Sequence, residues 1–212
     1  TQVRNFVNSV IVSTAEPLEY SMGITYSPRN QGSGLVNAYN AIKAGAYLTV
    51  DGAEVPKVEL GDDVAKTGAY AFDFNVTNIT DDVLYYNVNT TTQTEGAAYV
   101  EDYNEIFMTS TPMPLSATTS ETSNAMVYTY DYTENNAVDT SDARQLFVTT
   151  KNTNLAEATD MFRYDVNMDE AIDEADAQAY LDKLVGKNVD TVDFSEKVLK
   201  VDANSTAVVS VN

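Results

Sequence analysis

Asp165-Val166-Asn167-Met168-Asp169-Glu170-Ala171-Ile172-Asp173-Glu174-Ala175-Asp176 is the most informative stretch of the chain. Oxygen-bearing side chains fall at loop positions one (Asp165), three (Asn167), five (Asp169), nine (Asp173) and twelve (Asp176). Ala171 at seven offers a backbone carbonyl, and Ile172 at eight an apolar anchor. A short loop wraps a calcium ion with this spacing, because alternate residues point inward and the last carboxylate, already in a helix, can place both oxygens on the metal. Calcium takes six to eight oxygens, so one or two waters must complete the set. Position six, where such loops favour Gly, is Glu170, which predicts some backbone strain.

The same template fits Asp131-Tyr132-Thr133-Glu134-Asn135-Asn136-Ala137-Val138-Asp139-Thr140-Ser141-Asp142. Its expected ligands are Asp131, Thr133, Asn135, the Ala137 carbonyl, Asp139 and Asp142. Thr133 is a weaker neutral ligand, while Asn136 at position six tolerates left-handed geometry better than Glu170. The first loop has three charged ligands (Asp131, Asp139, Asp142) and the second four (Asp165, Asp169, Asp173, Asp176), so charge favours the second and backbone strain the first. The competing reading is an acidic, solvated surface with Asp142 and Asp176 as first-turn helix residues favoured by the dipole. Two matches, each running into a helix, favour calcium at both.

Outward from the loops, residues 131–187 hold 13 acidic and 5 basic residues and show helical spacing at Ala143, Leu146 and Phe147 and at Ala177, Tyr180, Leu181 and Leu184. Strand patterns flank this block. Tyr70, Phe72, Phe74 and Val76 alternate with Ala71, Asp73 and Asn75, predicting a half-buried strand with Val83–Thr90 as its hairpin partner. Val192–Val211 gives two more strand patterns around the turn Asp202–Ser205. The expected fold is mixed: an antiparallel β-sandwich over 46–130 and 188–212, interrupted by a small helical calcium module at 131–187. Residues 102–124 are Thr/Ser-rich and carry no clear period. Ahead of the sandwich, 1–45 forms two short amphipathic helices, Val3–Ile11 and Leu35–Ile42, with too few large apolar groups to make a core of their own. They read as a piece of a larger body.

Composition narrows the function. The 212 residues carry 32 Asp+Glu against 12 Lys+Arg, a net charge of −20, and no His or Cys. So negative a surface repels phosphate backbones and anionic membranes, which excludes nucleic-acid binding and a polybasic membrane anchor. No apolar run is long enough for a membrane span. Without His and Cys there is no Ser-His-Asp or Cys-His nucleophile, His/Cys zinc site, thiol redox chemistry or disulfide. Oxygen ligands remain, and they suit calcium or magnesium. Asn75, Asn78, Asn89 and Asn204 each open an Asn-x-Ser/Thr triplet, as chance allows in a Thr-rich chain.

Two resemblances follow from these motifs. The paired loops running into Asp142-Ala-Arg-Gln-Leu-Phe and Asp176-Ala-Gln-Ala-Tyr-Leu-Asp-Lys-Leu-Val-Gly resemble a type I dockerin module over 131–187. That likeness implies two calcium ions and docking to a cohesin through positions ten and eleven. Those positions are Thr140-Ser141 in the first loop and Glu174-Ala175 in the second, where the dipeptide departs from the family's hydroxyl type. The run Ser27-Pro28-Arg29-Asn30-Gln31-Gly32-Ser33-Gly34-Leu35-Val36-Asn37, followed by Tyr47-Leu-Thr-Val50, is similar to the end of the catalytic domain of cell-envelope subtilisin-like serine proteases of the lactocepin type. Lys57–Asp62, Leu84–Val88 and Ala203–Val211 look like the fibronectin type III-like domain that follows in those proteases. The likeness implies a secreted or cell-surface bacterial protein and a non-catalytic region whose catalytic residues lie upstream, in a domain that would be its partner.

Overall fold

The alternating stretch Phe72–Asn78 forms the strand around which one body of the protein is organised. The computed structural model describes residues 2–100, 105–152 and 158–212. It is a mixed α/β structure with several antiparallel sheets and six helices among these residues, compatible with a β-sandwich. The chain divides into two compact units: a host, 1–125 with 200–212, and an insertion, 126–199. The insertion is wider than the acidic helical block at 131–187: residues 126–128 pair with 197–199, and Val192 and Phe194 pack against its core.

In the host, helix α1 (Gln2–Ser13) precedes a small hairpin, β1 (Glu19–Ser21) and β2 (Ile24–Thr25), the single turn α2 (Pro28–Gln31) and α3 (Ala38–Lys43). Strand β3 (Ala46–Thr49) receives α1: Phe6 meets Tyr47 edge-on at 5.1 Å, and Leu48 N–H donates to Ser13 Oγ. The Ser27–Asn37 run is a structural turn. Gly32 closes α2 by donating to Pro28 O, and Gly34, at φ 112°, lets the backbone pass Glu16 so closely that a Cβ would stand 2.2 Å from its carbonyl oxygen. The expected face of the second helix does not bury itself: Leu35, Tyr39 and Ile42 are all exposed.

The host sheet has the order β3-β4-β11-β8, with β4 at Phe72–Asn78, β8 at Glu121–Thr122 and β11 at Thr206–Val211. Strand β11 pairs with β4 from Thr206↔Thr77 to Val211↔Phe72. It buries Ala207, Val209 and Val211 and turns Thr206 and Val208 outward, the period-two reading of its sequence. The expectation that Val83–Thr90 is the hairpin partner of β4 fails. Only Leu84–Tyr86 (β5) is strand, and both sides of β4 are taken by β3 and β11. Asn78 diverts the chain. Buried at 1% exposure, it accepts from Thr80 N–H and donates to the carbonyls of Asp82, Val201 and Asp202. Burial also removes Asn78 as a glycan acceptor. Asn78→Ala strands those carbonyls and should cost the host about 3 kcal/mol, measurable as a lowered urea midpoint.

The region 102–124, which carries no clear period, contributes β7 (Glu105–Pro114), which pairs antiparallel with β6 (Gln93–Val100) just ahead of it, with an irregularity at Glu95/Ala97; residues 101–104 lie outside the described ones.

The insertion opens with β9 (Met126–Tyr128), which pairs with β10 (Lys197–Val201) through Tyr128↔Lys197, Val127↔Val198 and Met126↔Leu199. Between them lie α4 (Thr140–Asn152), α5 (Ala158–Tyr164) and α6 (Glu174–Leu184); the pattern reading anticipated α4 and α6 and missed α5. Tyr130, Ala143, Leu146, Val166, Ala177 and Tyr180 form its core.

Candidate metal centre

The two twelve-residue loops close with the same hydrogen bonds at positions one, five and nine despite different side chains. In each, the position-one carboxylate accepts from the N–H groups of positions five and six: Asp131 from Asn135 and Asn136, Asp165 from Asp169 and Glu170. The position-five oxygen accepts from position seven, Asn135 from Ala137 and Asp169 from Ala171. Position nine caps the following helix, Asp139 accepting from Ser141 N–H and Asp173 from Ala175 N–H, both at 2.7 Å. The position-twelve carboxylate reaches back across the loop. Asp142 accepts from Thr133 N–H and Asp139 N–H, and Asp176 from Val166, Asn167 and Asp173 N–H. Asn167 at position three accepts from Asp169 N–H, while Thr133 donates its hydroxyl to Asp142.

Backbone geometry repeats with the bonds. Positions four and six have positive φ in both loops: Glu134 and Asn136, Met168 and Glu170. Four non-Gly residues in left-handed geometry, in two matched pairs, mean that the loop closure overrides local preference. Glu170 at φ 67° is the strained position expected from the missing Gly.

Burial is concentrated at the loop ends. Asp142 and Asp176 have no exposed surface, and Asp131 is 3% exposed. Burial raises the pKa of Asp176 against the lowering effect of its three N–H donors, and Asp165 adds like-charge repulsion. Asp139 goes the other way, lowered chiefly by the hydroxyl and N–H of Ser141. Among the described residues, no group of three or more acidic side chains is gathered tightly enough to be a metal cage. The carboxylates instead spend part of their acceptor capacity on loop N–H groups; an ionised carboxyl has about four lone-pair sites, so capacity for a cation remains.

An aromatic cluster fixes where the loops sit. Tyr132, position two of the first loop, stacks on Tyr164 at 5.4 Å and donates its hydroxyl to Arg163 O. Tyr180 from α6 donates to Tyr130 O and packs on Phe194, rings 4.3 Å apart. Burial, helped by Glu196, Asp193 and Asp165, pushes the Tyr130 phenol up to about 12. Sequence reading missed this cluster. Its signal was the tyrosine density at 128–132, and Phe194 lay outside the block thought to be helical.

Thr140 and Ser141 are exposed at the start of α4. Beside them a groove of about 520 Å³ runs between α4 and α6, lined by Thr140, Arg144 and Phe147 on one side and Glu174, Gln178 and Leu181 on the other. Phe147 and Leu181, expected on the buried helical faces, line this groove at 44% and 37% exposure. An ion pair between Lys151 and Glu174 ties the end of α4 to the start of α6.

Comparison of the sequence with protein-family models and with curated proteins gives no match. Function therefore rests on the chain's own chemistry.

Proposed function

We propose that this chain is a non-catalytic, calcium-binding accessory region of a secreted or cell-surface subtilisin-like serine endopeptidase, in which a dockerin-like module interrupts a fibronectin type III-like sandwich. The observation that carries the calcium part is the matched pair of loops, with the same bonds at positions one, five, nine and twelve and the same left-handed residues at four and six. The first site would use Asp131, Thr133, Asn135, the Ala137 carbonyl, Asp139 and Asp142, and the second Asp165, Asn167, Asp169, the Ala171 carbonyl, Asp173 and Asp176. The donor set is all oxygen, and each loop ends on a buried carboxylate that has no cationic partner among its hydrogen bonds. A divalent cation would offset that desolvation.

The accessory role is supported by the unfinished face of the N-terminal helices. Val3, Phe6, Val7, Val36 and Ile42 are exposed on α1 and around α3. So large an apolar surface suits packing against a further domain, which in this reading is the upstream catalytic domain. A second reading, tethering through a cohesin, is favoured by the exposed Thr140 and Ser141 beside the α4–α6 groove.

Native mass spectrometry of chelator-stripped protein titrated with calcium tests the proposal. Two bound ions are expected, and none at millimolar calcium would overturn it. Glu170→Gly should relieve the left-handed strain already present in the loop and stabilise the insertion by about 1 kcal/mol, read as a raised urea midpoint. An unchanged midpoint would mean that Glu170 is not strained in the folded loop.

A further inference from the structure

The covalent path of the chain couples the two units. The host chain leaves at Ala125 and returns at Lys200, and these residues are hydrogen bonded, Lys200 N–H to Ala125 O at 3.0 Å. The insertion closes its own ends in the same way, with Met126 and Leu199 as ladder partners and Thr129 N–H donating to Glu196 O. What returns after the insertion is essential to the host. Of its six buried apolar residues among the described ones, four (Val201, Ala207, Val209 and Val211) lie in 200–212. Strand β11 also occupies an inner place in the sheet, between β4 and β8.

We infer that the folded insertion is a staple on the host sheet: by holding its own ends together it keeps β11 docked on β4, so whatever folds the insertion also controls that sheet. Unfolded, a chain of this length has a root-mean-square span of about 45 Å, whereas ladder partners lie about 5 Å apart. Docking β11 would then require closing a long flexible loop in place of a tight link. With closure entropy scaling as three-halves the logarithm of loop length, the docking equilibrium weakens on the order of 10²-fold. Calcium becomes a switch for the host sheet only through this staple, a step that rests on the calcium reading above.

Amide exchange on the full chain tests the inference through Leu146→Asp, which places a charge in the insertion's core without altering any proposed ligand. Protection across β4 and β11 should fall on the order of 10²-fold. Adding Ala125→Cys with Lys200→Cys, oxidised to join the host ends directly, should restore it. This second arm separates the staple from a general collapse. Unchanged β11 protection while 131–187 exchanges freely, or no rescue by the crosslink, overturns the inference. Chelation should act like Leu146→Asp. If chelation leaves the insertion's exchange unchanged while Leu146→Asp lowers β11 protection, the calcium reading fails and the staple stands.

Discussion

Asp176→Ala should unfold the second loop and weaken the whole insertion by about 3–5 kcal/mol, the largest loss expected of a single truncation in this chain. Asp176 is fully buried, and its two oxygens accept three backbone N–H groups, from Val166 at 2.7 Å, Asn167 at 3.2 Å and Asp173 at 2.8 Å. Alanine leaves those donors without partners, each at about 1–3 kcal/mol less what entering water recovers. Val166 is a core residue with no exposed surface, so the damage reaches Tyr180 and Leu146. One effect opposes the loss. Burial raises the pKa of Asp176, so its folded-state contribution is greatest at acid pH and shrinks as pH rises through that pKa. In calcium-free protein the penalty of Asp176→Ala should therefore be smaller at neutral than at acid pH. Thr133→Ala removes only an exposed hydroxyl that donates to Asp142 and should cost under about 1 kcal/mol. Urea unfolding followed by amide exchange compares the two. Equal midpoints would show that the position-twelve carboxylate is not the keystone of its loop.

How far the sequence could be read follows from the range of each interaction. Loop chemistry is local: a position-one carboxylate bonds residues four and five places on, and position nine caps a helix two places on. Spacing alone therefore marks the side chains at positions one, five, nine and twelve whose oxygens close both loops. Strand β4 was equally legible, since the alternation of Phe72, Phe74 and Val76 is a property of one pleated segment. Its partners were not. Nothing within Phe72–Asn78 says that β11, across the whole insertion, takes the place expected for Val83–Thr90. That choice depends on Asn78 reaching the carbonyls of Val201 and Asp202, more than 120 residues away in sequence. The β6–β7 hairpin was hidden for another reason: its Thr, Met and Pro residues give no apolar alternation. Phe147 and Leu181 show the limit of helical periodicity, which groups apolar residues on a face without saying which are buried and which line a groove.

Calcium should raise the stability of the insertion by about 2.7 kcal/mol per occupied site at a hundred times the dissociation constant, enough to move its melting by more than ~10 °C. The two loops carry ten side-chain oxygen groups at ligand positions, seven of them carboxylates, in a chain of net charge −20. Without a cation their negative charge is offset only by hydrogen bonds, from loop N–H groups and from side chains such as Thr133, Ser141 and Asn167. The apolar counterweight is small: a cluster of six buried residues, two of them alanines, with Val198 and Leu199 also buried on β10. A cation that binds the folded loops and not the unfolded chain adds its full binding free energy to folding. Chelation should thus loosen 131–187 first, with the host remaining folded at lower stability because β11 loses its tight closure. Charge count favours the second loop, so Asp176→Ala should remove the tighter of two binding events, and Asp142→Ala the weaker. Calorimetric titration of chelator-stripped protein, paired with melting in calcium and in chelator, decides it. No heat of binding, or superimposable melting curves, would leave the paired loops as capped turns on an acidic surface.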